Sequence, residues 1–215
     1  MPVRSSRGLW ALGALLSAGV ALFSYRYLAA VGPMPPQIVA NLFARPWLVV
    51  HVAGAATALM LVPLNLLPWI RRRAPAAHRW VGRAYVVSCL VGGLAGFILA
   101  FGSFAGPIAT AGFGSLAVIW VGVNAAGWRA ALQRRFADHR AWMIRSFALT
   151  FGAVTLRLYL ALLPLLHVSF VDGYRAISFL AWVPNLILAE LYLRDALPRL
   201  RAAPQAQPAS SAAAG

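Results

Sequence analysis

The stretch His139–His167, HRAWMIRSFALTFGAVTLRLYLALLPLLH, constrains the fold of this chain more than any other. It starts in basic sequence and continues as an apolar run long enough to cross a bilayer. Yet an arginine, Arg157, sits deep inside that run. On a helix of 100° per residue, Ser146, Thr150 and Arg157 fall within about 20° of His139. One face of the helix is polar and the remainder is lipid-like. An unpaired ionised group in hydrocarbon is costly, so this face must look into a protein interior or a wet chamber.

Several more runs of spanning length flank it. The 215 residues are 61% hydrophobic and 11% charged. A soluble domain carries roughly 25% charged residues. Backbone satisfaction in lipid allows only helices or closed barrels, and continuous rather than alternating apolar runs select helices. The fold class read from the sequence is all-α, a polytopic transmembrane bundle of six helices.

The helices are expected near Gly8–Val31, Pro46–Ile70, His78–Phe101, Ile108–Trp128, His139–His167 and Ala176–Leu193. GPMPPQ at 32–37 interrupts the first two, and Pro63 and Pro68 predict a kinked last turn in the second. SFVDGY is read as the turn before the last helix. No domain boundary is visible, so residues 1–203 are read as one bundle and 204–215 as a low-complexity, disordered tail. The N-terminal apolar run is too long for a signal peptide and is read as an uncleaved first helix.

The formal net charge of +15 points to membrane topology rather than nucleic acid. The arginines cluster in two loops, residues 71–83 and 129–140, and near both termini, all on one side of a six-helix arrangement. That bias predicts that both termini are cytoplasmic. The same loops suit the anionic headgroups of the lipid bilayer. Cys89 is the single cysteine, which leaves no intrachain disulfide and no CxxC motif.

The candidate site residues are polar groups at helix depth. His51 lies about 8 Å inside its helix end, with Gly54, Ala55 and Ala58 forming a small-residue groove on its face. Arg157 lies at a depth within about 6 Å of His51, so the two are expected to border one site, with Arg157 facing the bundle interior. His78 and His139 are placed in basic loops, each followed by an arginine, Arg79 and Arg140. Helices three and five are expected to approach there and share one anionic ligand, with Arg83 and Arg145 nearby. Glu190 is the one intramembrane carboxylate, and Asn124 and Tyr85 are its expected neighbours. Gly92 and Gly96 form a GxxxG close-packing signal. No GxGxxG, P-loop, GxSxG or HExxH occurs, and four acidic residues leave no acidic metal cluster.

Taken together, HVAGAATALMLVPLNLLP, HRWVGRAYVVSCLVGGLAG, HRAWMIRSFALTFGAVTLRLYL and NLILAELYL resemble the bacterial membrane proteins grouped as domain of unknown function 2306, over residues 45–193. The resemblance implies a multi-helix membrane protein and no particular reaction. A looser resemblance, to transmembrane cytochromes b, implies haem b held between histidines. Three function classes stay open. The first is a haem- or quinone-linked redox protein. The second is a small-solute or proton transporter using His51, Arg157 and Glu190. The third is a non-enzymatic assembly or lipid-interacting factor.

Overall fold

The computed structural model describes residues 3–29, 31 and 41–202. GPMPPQ and the tail 204–215 lie outside the described residues. Eight helices are described: α1 Val3–Tyr25, α2 Ala44–Leu66, α3 Pro68–Arg73, α4 Pro75–Phe101, α5 Pro107–Leu132, α6 Phe136–Leu162, α7 Phe170–Leu180 and α8 Val183–Ala202. Among the described residues there is no strand. Six spans are long and apolar enough to cross a membrane, and α7 with the start of α8 forms the sixth, Phe170–Pro198.

Proline sets several boundaries. Pro68, Pro75 and Pro107 open α3, α4 and α5, where a missing N–H costs nothing. Pro68 also forces the preceding Leu67 into extended backbone, φ −70° and ψ 113°. The expected kinked turn is therefore a break between two helices. Pro63 stays inside α2.

The basic loops are shorter than expected. α3 already contains Arg71–Arg73, and α4 begins three residues before His78. α6 begins at Phe136, so only residues 133–135 separate it from α5. His78 and His139 are thus helical residues, not loop residues. Helix one ends at Tyr25, six residues earlier than expected.

SFVDGY is not a turn. Ser169 caps α7, its hydroxyl accepting from the Asp172 N–H at 3.2 Å and donating to the Asp172 carboxylate at 2.6 Å. The last span then breaks at Ala181–Trp182. Pro184 cannot donate to the preceding turn. Side chains occupy neighbouring carbonyls, Asn185 Nδ2 bonding Ala181 O at 3.2 Å and Trp182 Nε1 bonding Ser178 O at 2.9 Å.

Packing closes a ring: α1 lies on α2, α2 on α4, α4 on α5, α5 on α6, and α6 on α1. α2 also touches α6, whereas α7 packs on α5 and α6, and α8 on α6. Each helix buries one face. On α4, Tyr85 and Cys89 are 1% and 0% exposed, while Val87 and Leu94 on the outer face are 55% and 59% exposed. That outward apolar band suits lipid. The bond from Arg201 to Asp138, 3.0 Å, sets the end of α8 beside the start of α6. This is the basic end of the bundle. Asn41 Nδ2 to Gly102 O, 2.8 Å, and Arg175 Nε to Ala105 O, 2.8 Å, tie α2, the α4–α5 turn and α7 together at the opposite end.

Candidate functional site

His51 is seated by glycines. α2 and α4 meet backbone to backbone: a Cβ on Gly54 would lie 2.5 Å from Gly92 N, and one on Gly92 would lie 2.8 Å from Ala55 N. This approach brings the His51 ring to the Gly92 carbonyl, with Nδ1 2.8 Å from the oxygen. A Cβ on Gly96 would sit 2.7 Å from Nδ1, so the second glycine of the GxxxG is the floor of the imidazole's seat. A carbonyl only accepts, so Nδ1 carries a hydrogen and the neutral ring keeps its lone pair on Nε2. The small-residue groove therefore packs two helices and also fixes a tautomer.

Arg157 comes from α6 and points inward. Its guanidinium donates to Ala153 O at 3.1 Å and to Ser24 Oγ at 2.7 Å. None of the four carboxylate side chains in the chain forms an ion pair with it: Asp138 pairs with Arg135 and Arg201, Asp172 with Arg175, Glu190 with Arg145, and Asp195 is not in ion-pair contact with it. A guanidinium without a counter-charge at this depth costs at least ~2.5 kcal/mol on insertion scales.

His51 and Arg157 line one cavity of about 380 Å³. Its wall is mainly apolar, with contributions from α1, α2, α4, α5, α6 and α7. Four rings crowd the end away from the basic loops. Phe104 stacks on Phe170 with centroids 5.8 Å apart and planes 13° apart, and Tyr174 lies 5.0 Å from Phe104 and 5.2 Å from Phe113. Ser103 adds a buried hydroxyl with no partner among the described residues. An apolar chamber bordered by a guanidinium without a counter-charge, an imidazole and planar walls is the usual build of a small-molecule site.

A polar septum closes the chamber toward the basic end. Trp120 Nε1 donates to Thr150 Oγ1 at 2.9 Å, and Tyr85 OH lies 2.8 Å from Thr150 Oγ1 and 2.6 Å from Ser146 Oγ. Ser146 donates to Asn124 Oδ1 at 2.9 Å. The network ends on backbone: Thr150 donates to Ser146 O at 2.8 Å and Asn124 Nδ2 to Trp120 O at 2.8 Å. Its terminal bonds go to carbonyls, which fixes the side chains of the septum in place.

The remaining predicted residues lie beyond the septum. Glu190 does not meet Asn124 or Tyr85; both belong to the septum. Glu190 instead takes a two-pronged bond from Arg145, Nε to Oε1 at 2.5 Å and Nη2 to Oε2 at 2.9 Å, and lies outside the cavity. Arg145 also covers the Trp142 ring at 4.8 Å, and Arg83 covers Trp80 at 4.9 Å. Arg79 and Arg140 are exposed. His139 Nδ1 bonds Gly127 O at 2.9 Å, and His78 is its electrostatic neighbour at the same end. His167 is exposed in the turn after α6 with φ 53°. No second histidine lines the cavity, so the paired ligation of a b-type haem is not assembled around His51.

Ser24, Trp120 and Tyr174 were not singled out from the sequence. Ser24 had a signal, a lone hydroxyl late in an apolar run. Trp120 and Tyr174 had none that separates them from packing aromatics.

The fold and cavity define a polytopic helical membrane protein with a chamber inside its bundle. The chain belongs to the family described as predicted membrane protein, DUF2306, whose model matches residues 48–193. That span includes His51, Arg157 and Glu190 but not α1. No curated protein and no solved structure matches, and the likeness to cytochromes b finds no support there.

Proposed function

We propose that this protein binds a lipophilic molecule with a planar, oxygen-bearing head, of the quinone class, inside the bilayer. The observation that carries the reading is the unpaired Arg157 guanidinium in the same cavity as His51 Nε2. A ring carbonyl accepts from Arg157 by a charge-assisted bond. On the reduced form, a ring hydroxyl donates to His51 Nε2. The ring plane lies along the Phe104, Phe170 and Tyr174 faces, which prefer offset stacking. Apolar walls take the first units of a hydrocarbon tail.

The carrier reading has less support, since Glu190 is held by Arg145 on the far side of the septum. For location, we take residues 1–203 as one bundle in a bacterial inner membrane, with the basic end and both termini cytoplasmic. The arginine bias supports this. Reporter fusions after Arg73, Arg134 and Asp172 test it, the first two expected inside and the third outside.

The ligand test is direct. Protein purified in mild detergent is extracted with organic solvent and its quinones quantified, and a short-tailed quinone is titrated while tryptophan emission is followed. Bound quinone near one per chain, with quenching of the cavity-lining Trp120, is expected. Extracts without quinone, together with unquenched emission at saturating quinone, overturn the reading.

A further inference from the structure

A second cluster lies at the basic end, outside the cavity. Five arginines fall within residues 71–83, namely Arg71, Arg72, Arg73, Arg79 and Arg83, and five more within 129–145. The one carboxylate in those two segments, Asp138, is already bonded to Arg135 and Arg201. The α3 arginines are exposed and form no ion pair among the described residues.

Two imidazoles stand among them. His78, one turn into α4, has a buried Nδ1 with no partner among the described residues. His139, one turn into α6, is held through Nδ1 by Gly127 O, which leaves Nε2 free. Seven residues on from each imidazole, Tyr85 of α4 and Ser146 of α6 are hydrogen-bonded at 2.6 Å, so the two helices are linked there and bring His78 and His139 to one level, with α3 and its Arg71 packed on α4. A buried ring nitrogen without a partner is uncommon in a folded protein and points to a group that belongs beside it. The cations and imidazoles here outnumber the carboxylates, and Asp138 and Glu190 are already taken by Arg135, Arg201 and Arg145, which selects an anion. A tetrahedral oxyanion offers several acceptor oxygens to a guanidinium and two rings at once. Trp69 and Trp80 are exposed alongside, and amphipathic rings of this kind sit at headgroup level.

We infer that His78, His139 and Arg71 form a phosphate-binding site at the basic end of the bundle, shared between α3, α4 and α6. Its ligand is a phosphate ester or phosphate ion. A lipid headgroup and a soluble phosphate present the same oxygens, so the source is decided by experiment.

The full-length protein is reconstituted in phosphatidylcholine bilayers with and without phosphatidylglycerol, delipidated by stepwise detergent washing, and assayed for retained lipid phosphate. In parallel, inorganic phosphate and pyrophosphate are titrated against detergent-solubilised protein by phosphorus NMR. The double variant His78→Gln/His139→Gln, and separately the exposed Arg71→Gln, are expected to weaken whichever ligand binds by about tenfold or more. Arg45→Gln, an arginine at the opposite end, is expected to change nothing. Lipid phosphate lost only in the His78, His139 and Arg71 variants identifies a headgroup site, and loss in the NMR arm alone identifies a soluble phosphate site. Arg71→Gln keeps the test decisive should the double variant misfold. No retained lipid phosphate and no titration by the wild type overturns the site. So does binding that survives all the site variants, or that falls equally with Arg45→Gln. The quinone titration uses the other end of the bundle and is expected to be unaffected by these substitutions.

Discussion

Of the three arginines on α6, Arg140 is exposed, and Arg145 and Arg157 are held differently. Arg145 lies toward the basic end, clasped by Glu190 from α8 and laid on Trp142. Arg157 lies twelve residues further along, in the cavity, with one carbonyl and one hydroxyl for company. The difference is the neighbour each helix supplies. α8 brings a carboxylate to Arg145, and α1 brings only Ser24 to Arg157. An arginine with its carboxylate joins helices, whereas one without a counter-charge in an apolar chamber is available to something else. Charge at depth marks a site only when the fold has left its counter-charge out.

Substitutions can break this contrast or sharpen it. The largest effect is expected at the glycine contact that seats His51. Gly54→Val drives a side chain into Gly92 backbone, which cannot yield as a side-chain tip would. We expect a loss of stability on the order of 3 kcal/mol or more, read as a collapsed melting temperature in detergent and loss of monodisperse protein. An unchanged melt would mean that the helices do not approach so closely.

Next comes Arg157→Leu. The fold is expected to survive or gain, because a buried ionised group is removed. Quinone affinity is expected to fall about 10- to 100-fold, the equivalent of one charge-assisted bond. Arg157→Lys keeps the charge and is expected to recover only part of the affinity, since the ammonium lacks the planar fork. Full binding by the leucine variant would end the contrast between the two arginines.

Tyr85→Phe is expected to cost about 1–2 kcal/mol, because Ser146 and Thr150 each lose a buried partner. Chemical or thermal unfolding would read it, with quinone binding reduced less than by Arg157→Leu. The smallest effect is expected from Glu190→Gln. The pair is partly exposed, with side-chain exposures of 20% and 44%, so we expect at most about 1 kcal/mol of stability and no change in binding. A tenfold drop in binding would place Glu190 in the functional site after all.

Depth and facing of single helices were legible in the sequence. The stripe His139, Ser146, Thr150 and Arg157 is inward as its periodicity predicts, and His51 shares a chamber with Arg157. Partnership between helices was not legible. Glu190 has the depth to meet Asn124 or Tyr85, but the packing order puts α8 against α6 and hands it to Arg145. Periodicity fixes an angle on one axis and is silent about which axis lies alongside. The start of α7 was legible and was misread: Ser169 and Asp172 have capping-box spacing, yet the glycine and aspartate of SFVDGY suggested a turn. The break at Ala181–Trp182 follows from Pro184, whose effect on a continuous apolar run depends on side chains such as Asn185 that rescue the freed carbonyls.

The bond between Arg157 and Ser24 spans 133 residues of chain. Synthesis proceeds from the N-terminus, so α1 is made long before α6. Four spans must be laid down before the arginine that Ser24 will receive is made. Arg157 thus enters an assembly in which its hydroxyl partner is already waiting, and the order of birth of the helices eases the hardest insertion step. The same order fastens α1 first to α2, where Tyr25 OH lies 2.9 Å from Thr57 Oγ1, and to Arg157 only when α6 arrives. A chain lacking α1 would still hold the whole span that the family model matches, yet would insert the guanidinium without the hydroxyl that receives it.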